Sequence, residues 1–276
     1  MPRPERIFRT DAIILRRQDF GEADRLLTVF TPNHGKLKAI AKGSRKPAGR
    51  TTGHVELYTR VKMMIAHGRE LHVVSQAELT EPYLALRENL ERGAYANYVV
   101  ELLDHFSEAE EVNMSLYRLL DATLAHLCDP QVDLRLLTRY YELKALELVG
   151  FQPALFNCAI GQEEIVAQDQ FFSVMEGGVV CPLHAKTGKF ISPLNLTTLK
   201  TLRYLQTRDY DVIKVLRVDE VLHMELERTL QNYIVHVLER RLKSVDFIRR
   251  LRRHGHADYA GDPQEQADIP EVEEKH

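Results

Sequence analysis

Between Phe30 and Arg50 the sequence FTPNHGKLKAIAKGSRKPAGR carries Lys36, Lys38, Lys42, Arg45, Lys46 and Arg50 without a single acidic residue. A loop poor in hydrophobic anchors thus carries an unneutralised positive field, which is what a phosphate backbone requires. Bond-making chemistry has no comparable signal. The chain contains no His-Glu-x-x-His, no Ser/His/Asp set with a nucleophile turn and no Gly-x-x-x-x-Gly-Lys-Ser phosphate loop, so a non-enzymatic protein is expected. Any nucleotide-driven step then belongs to a partner.

The charge is unevenly spread. Of 276 residues with net charge −3, positions 1–80 hold 15 Lys and Arg against 8 Asp and Glu, leaving 22 against 32 for the rest. A basic binding module joined to an acidic body follows. Three scattered cysteines, Cys128, Cys158 and Cys181, do not make a disulfide framework. With no signal peptide and no apolar run near the ~18 residues of a membrane span, a soluble, intracellular protein without membrane contact is expected.

Positioning the cations falls to short strand-like segments at Thr10–Arg16, Leu26–Thr31, Lys36–Ala41, Val55–Ala66 and Glu70–Val74, separated by turn residues such as Pro32-Asn33-His34-Gly35 and His67-Gly68. Five strands in this length suit a small closed barrel of the oligonucleotide-binding or SH3-like kind. Past Glu81-Pro82 the period becomes helical. Tyr95, Tyr98, Val99, Leu102, Leu103 and Phe106 share one face, and Leu116, Leu120, Leu124 and Leu127 form the next stripe. Asp129-Pro130 reads as the cap and first turn of a helix carrying Leu134 to Leu148 and closed by Gly150. Strand-like pieces at Phe171–Met175 and Val179–Val180, bracketed by Cys158 and Cys181, form a small inserted module. Ser192-Pro193 reads as the start of a further helix. A last long helix bears Val218, Leu222, Leu226, Leu230, Tyr233, Val237 and Arg241, and runs into the basic stretch Arg240–Arg253. From Gly255 the chain is acidic and aperiodic. The fold class is therefore α+β, divided as a barrel at 1–80, a helical domain at 81–254 interrupted at 151–191, and a disordered acidic tail at 255–276.

The order of these features resembles the RecO family of bacterial recombination mediators over nearly the whole chain. Carrying the resemblance are Ile13-Ile14-Leu15, Gly21-Glu22-Ala23-Asp24, Thr31, His34-Gly35-Lys36-Leu37, Ala41-Lys42-Gly43 with Arg45-Lys46, Tyr98 to Leu103, Leu148 to Pro153, Cys158, Gly177 to Cys181, and Leu242-Lys243-Ser244 with Phe247. It implies an oligonucleotide-binding (OB) barrel, a helical body and a zinc-ribbon-like insert. It further implies binding to single- and double-stranded DNA, strand annealing, and cooperation with RecR to load RecA onto DNA coated by single-stranded DNA-binding protein, in the bacterial cytoplasm at the nucleoid.

Two sites follow. Lys36 and Lys38 alternate on one strand and so share a face; with Lys42, Arg45, Lys46 and Arg50 they form the expected DNA contact, a mobile clamp rather than a reader of bases. Arg25 is a weaker candidate, as are Arg6, Arg9, Arg16 and Arg17. Lys243 and Arg249 join only if they lie on the same side of the molecule. The barrel offers just Phe8, Phe20, Phe30 and Tyr58 for stacking, and Phe30 reads as core. The second site departs from the family's paired Cys-x-x-Cys knuckles: Cys158 is followed by Gly161 and Cys181 by His184, so three ligands remain unless Glu163, Glu164 or Asp169 moves in. A metal-free insert without cofactor is expected. The rival reading is a protein-interaction scaffold whose basic barrel binds an acidic partner.

Overall fold

The computed structural model describes residues 7–46, 51, 53–68, 71–186 and 190–254. Arg6, Arg50 and the expected tail at 255–276 lie outside these residues. Among those described, β1 (Ile7–Phe20), β2 (Asp24–Thr31), β3 (Gly35–Ala41), β4 (Arg60–Ala66) and β5 (His72–Glu81) close into a barrel of order β1-β2-β3-β5-β4. That is the five-stranded OB connectivity. β1 makes closure possible because its first half pairs with β4 and its second with β2, and a register shift between Ile14 and Arg16 bends it between the two. The apolar run Ala12–Leu15 is buried on both faces: Ala12 and Ile14 enter the barrel core, while Ile13 and Leu15 join the core of the helical body. Phe30 follows them outward onto Tyr117 and is fully buried, as expected of a core residue.

Strand limits differ from the sequence reading. β4 begins at Arg60, not Val55, because Tyr58 sits at φ 66° and a Glu56–Thr59 turn precedes it. β5 continues to Glu81, its alternation broken by irregular pairing with β4.

The body follows as α1 (Ala85–Glu88), α2 (Leu90–Phe106), α3 (Met114–Leu127) and α4 (Leu134–Leu148). Asp133, not Asp129, caps α4, accepting hydrogen bonds from the Arg135 and Leu136 amides; Asp129 instead accepts from the Gln131 amide in the preceding turn. Gly150, at φ 83°, ends α4. The insert is a sheet of β6 (Gln170–Ser173), β7 (Gly178–Val180) and β8 (Ile191–Leu194), in order β7-β6-β8. Ser192 and Pro193 belong to β8 and start no helix, since an edge strand tolerates a proline's missing donor. The helix begins at α5 (Leu196–Thr207) with Asn195 as its cap, followed by α6 (Tyr210–Ile213). The C-terminal basic run is not an extension of the long helix. α7 (Glu220–Leu238) stops at Glu239, φ 53°, and the chain turns back as α8 (Lys243–His254) against α2.

A buried polar network ties α2, α4 and α7. Glu142 accepts from the Tyr98 hydroxyl, pairs with Arg139 at 2.8 Å, and lies 3.2 Å from Gln231, which also donates to Tyr98 at 2.7 Å. Complete burial of Glu142, outweighing Arg139 and its hydrogen bonds, pushes its carboxyl up to about 7.

Candidate nucleic-acid interface and cysteine cluster

The turn before β3 needs Gly35. Its φ is 64°, and a Cβ there would meet the Glu111 carbonyl oxygen at 2.1 Å. This close approach seats the loop after α2 against β3, where the Glu110 amide donates to the Lys36 carbonyl at 3.0 Å. β3 then alternates: Leu37, Ala39 and Ala41 fill the barrel, while Lys36 and Lys38 share the outer face.

The two lysines have different surroundings. Lys38 is exposed. Lys36 donates to the Asp104 carbonyl at 2.6 Å and pairs with the Asp104 carboxylate at 3.1 Å, so it docks the barrel on α2. Arg16 reaches the same carboxylate at 2.6 Å. Two cations thus share one acid, in a cleft of about 460 Å³ lined by Arg16, Lys36, Lys38, His72, Asp104 and His105. Burial first, then the charge of Arg240 and, more weakly, of Arg16, holds His105 below the usual imidazole range despite Asp104 and Glu101. The exposed Arg240 therefore belongs to the same field.

The loop after β3 is tied down as far as Lys46. Gly43 donates to Asp24 at 2.8 Å, Ser44 to the Ala41 carbonyl at 2.9 Å, and the Arg45 amide to the Ala23 carbonyl at 3.0 Å. These bonds hold the loop to the β1–β2 turn through Arg45, while Arg50, the last member of the expected clamp, lies outside the described residues. Lys42 projects from the loop exposed, with no ion-pair partner among the described residues; Lys46 is exposed as well. Arg45 lies 3.6 Å from Asp19, and Arg25 is held between Asp19 at 3.7 Å and Glu56 at 3.2 Å, with Arg17 also on Glu56. Three arginines here meet two carboxylates, leaving a diluted positive surface.

At the other end, the Lys243 side chain is exposed, whereas Arg249 and Arg252 engage Glu227 of α7 at 3.3 and 2.6 Å. Among the described residues no contact joins Lys243 or Arg249 to Lys42 or Arg45. Lys38, Lys36 and Arg16 instead line one cleft, the last two paired with Asp104, and the charge of Arg240 reaches His105 on the same lining. Arg240 lies within the basic run seen in the sequence; its neighbours are brought by the turn at Glu239, for which no glycine gives a signal.

In the insert Cys158, Glu163, Cys181 and His184 gather their donor atoms within 4.8 Å of one another. His184 Nδ1 lies 3.5 Å from Cys158 Sγ, 3.3 Å from Cys181 Sγ and 3.1 Å from Glu163 Oε1, and Cys181 Sγ lies 2.8 Å from Glu163 Oε1. Ligand edges of a tetrahedral zinc site with Zn–S and Zn–N bonds of the usual length are about 3.3–3.8 Å, so the donor set fits zinc with Glu163 drawn outward slightly. Gly161 gives no ligand, but its place is taken: a Cβ there would meet Glu163 Oε2 at 2.0 Å. Although burial opposes it, amide donors from Cys181 and Gly161 hold the Cys158 thiol below its ordinary range, favouring a metal-ready thiolate. Among the described residues no helix is long and apolar enough to cross a membrane.

The family described as Recombination protein O N terminal matches residues 6–83, and that described as Recombination protein O C terminal matches residues 87–246. Similar proteins include the DNA repair protein RecO of Roseiflexus sp. (strain RS-1), 38% identical over 250 residues, covering 90% of this chain and 87% of the relative. Those of Dehalococcoides mccartyi (strain ATCC BAA-2266 / KCTC 15142 / 195) and Pelotomaculum thermopropionicum are 35% and 38% identical over 89% of this chain and 96% and 95% of theirs. With its barrel and its helical body both matched, the chain belongs to the RecO family.

Proposed function

We propose that the chain is a non-enzymatic DNA-repair and recombination mediator that binds single- and double-stranded DNA through the outer face of β3 and the loop that follows it. The observation that carries this reading is the acid-free stretch from Phe30, whose Lys38 lines one cleft with Arg16 and whose Lys42 projects exposed from the anchored loop after β3. Cations on a rigid strand track a phosphate backbone without reading bases. Neutralising two strands on one surface lowers their mutual repulsion, which is the physical requirement for annealing. Family membership supports cooperation with RecR in loading RecA onto DNA covered by single-stranded DNA-binding protein. The Cys158, Glu163, Cys181 and His184 cluster would hold one zinc ion, whose chemistry there is structural cross-linking of the insert.

The test is a salt titration of the full chain with a labelled single strand. Lys38→Ala together with Lys42→Ala is expected to lower the slope of log affinity against log salt by about 1.4, from ~0.7 per phosphate contact on a single strand. Lys36→Ala serves as contrast, since its loss of the Asp104 contacts costs about 1–2 kcal/mol of stability instead. An unchanged slope in the double variant would remove β3 and its loop from the interface. Absence of salt-sensitive binding by the wild type would favour a scaffold that takes an acidic protein.

A further inference from the structure

At the end of the barrel where β1 begins, three imidazoles from separate segments gather round one phenyl ring. Phe8 lies 4.0 Å from His34 of the β2–β3 turn and 4.8 Å from His67, just beyond β4. His72, at the start of β5, stands edge-on to Phe8 at 6.3 Å and lies 5.3 Å from His67. Phe8 and His34 are partly exposed and His67 is exposed, so this is not the interior of a core. Among the described residues its ring nitrogens do not converge on one point as the donors of the Cys158 cluster do.

The polar atoms here are incompletely matched. His72 Nδ1 is buried without a hydrogen-bond partner among the described residues, and its Nε2 faces Glu110 at 3.7 Å. His72 also lines the cleft that holds Arg16, Lys36 and Lys38, so the ring cluster and the cationic face adjoin. Burial, then the charges of His67 and His72, hold His34 below the usual imidazole range. Three imidazoles so placed repel one another when protonated, and an entering anion relieves that repulsion. Among the described residues, the other charged groups near the cluster are Glu110, which faces His72, Glu111 against the turn at Gly35, Arg9 next along β1, and Lys36 and Lys38 on β3.

We infer that this barrel end is a single-strand subsite, in which Phe8, His34 and His67 stack on an unpaired base and the protonated imidazoles take the adjoining phosphate. The inference rests on the DNA-binding reading above and adds to it a cause for strand preference, since a duplex offers no unstacked base for the rings. It also makes affinity pH-dependent. Protonation adds positive charge as pH falls through and below the imidazole range, so single-strand binding tightens in that direction.

The experiment measures binding of the full chain to a labelled oligothymidylate and to a duplex of equal length, across salt, at about pH 8 and about pH 5.5, on either side of the unperturbed imidazole value. For the wild type the single-strand slope of log affinity against log salt is expected to steepen by about 0.7 for each imidazole engaged. In His34→Gln/His67→Gln the gain in single-strand affinity on acidification is expected to fall to that left by His72. Phe8→Leu keeps apolar bulk beneath the imidazoles and is expected to weaken single-strand binding at about pH 8 by roughly tenfold while sparing the duplex. Should the double variant misfold, the exposed His67→Gln alone is expected to lose part of the acid gain. An acid gain undiminished by these histidine substitutions, or equal losses on single strand and duplex in Phe8→Leu, overturns the subsite. Salt-sensitive binding at about pH 8 without any acid gain overturns the subsite and leaves the DNA-binding reading standing; no salt-sensitive binding at either pH overturns that reading itself.

Discussion

Gly161 and Glu163 illustrate how one missing ligand is answered two positions away. A Cβ at 161 has no room because the Glu163 carboxylate and the His184 ring occupy that space, at 2.0 and 2.3 Å. Glu163 is held down to about 2, chiefly by its hydrogen bond from the Cys181 thiol, and so presents a carboxylate beside the two sulfurs and the imidazole. Metal analysis of the purified chain is expected to find close to one zinc per molecule. Glu163→Ala should lose it at chelator concentrations that the wild type survives, while Glu163→Ala with Gly161→Cys should regain it only in so far as the His184 ring, 2.3 Å from a Cβ at 161, turns aside to let a third thiolate in. Zinc content equal in all three proteins would separate Glu163 from the site. The sequence makes the ligand types visible, and Glu163 is one of three acids it offers. Which acid enters depends on the Cys158–Glu163 turn, where the Cys158 amide donates to the Glu163 carbonyl at 2.8 Å. Lys36 shows the same limit from the other side: its outward face follows from strand alternation, but its partner Asp104 lies 68 positions away, beyond any local pattern.

At the scale of elements, α8 is held by a capping contact from another helix. Glu101 of α2 accepts from the Lys243 amide at 3.0 Å and the Ser244 amide at 2.9 Å, and from the Ser244 hydroxyl at 2.5 Å. These would otherwise be unmatched donors at a helix start. Burial opposes the charged form, but the Ser244 hydroxyl and the two amides prevail and hold the Glu101 carboxyl below the ordinary range. Its contribution is therefore present above about pH 4.5 and is lost as pH falls through the lowered value. Glu101→Ala is expected to cost about 1–2 kcal/mol and to raise amide hydrogen exchange over residues 243–254, with the α3–α4 pair unchanged. Uniformly raised exchange throughout the body would instead mark Glu101 as a general core residue. The apolar stripe of α7 and the basic run of α8 were both legible, yet they read as one helix. Glu239 in the left-handed region is what separates them, and glutamate carries no such signal.

For the whole molecule, the feature with the largest reach is the Tyr98, Arg139, Glu142 and Gln231 network, which joins three helices at positions that carry the body's own core. The six-residue apolar face of α2 was readable in sequence because helical period and burial coincide. The network was not, since Tyr98 counts as apolar in such a pattern while its hydroxyl serves Glu142 from 44 positions away. Burial raises Glu142 from its ordinary 4.5 to about 7 in the folded chain. Between those values the folded state binds a proton that the unfolded state has released. Stability from this group is thus fully present below about pH 4.5 and is lost as pH rises through about 7, with a slope of at most ~1.4 kcal/mol per pH unit. Glu101, Asp133 and Glu227, held below their ordinary range, act in the opposite sense and are lost only on the acid side. From about pH 5 to about pH 7.5 those three are already ionised in both states. Over the same range His34, His105 and His126, held below the usual imidazole range chiefly by burial, add stability as pH rises, so the Glu142 contribution is read as the difference between the wild type and a variant without that carboxyl. Urea midpoints across this window should fall in the wild type relative to those of Glu142→Gln, which keeps an acceptor for Tyr98 but has no proton to lose, so that the gap between the two proteins changes steadily with pH. Parallel curves for the two proteins would mean that Glu142 stays ionised throughout, with Arg139 as a full counter-ion, and that the network tightens the body through charge rather than through a retained proton.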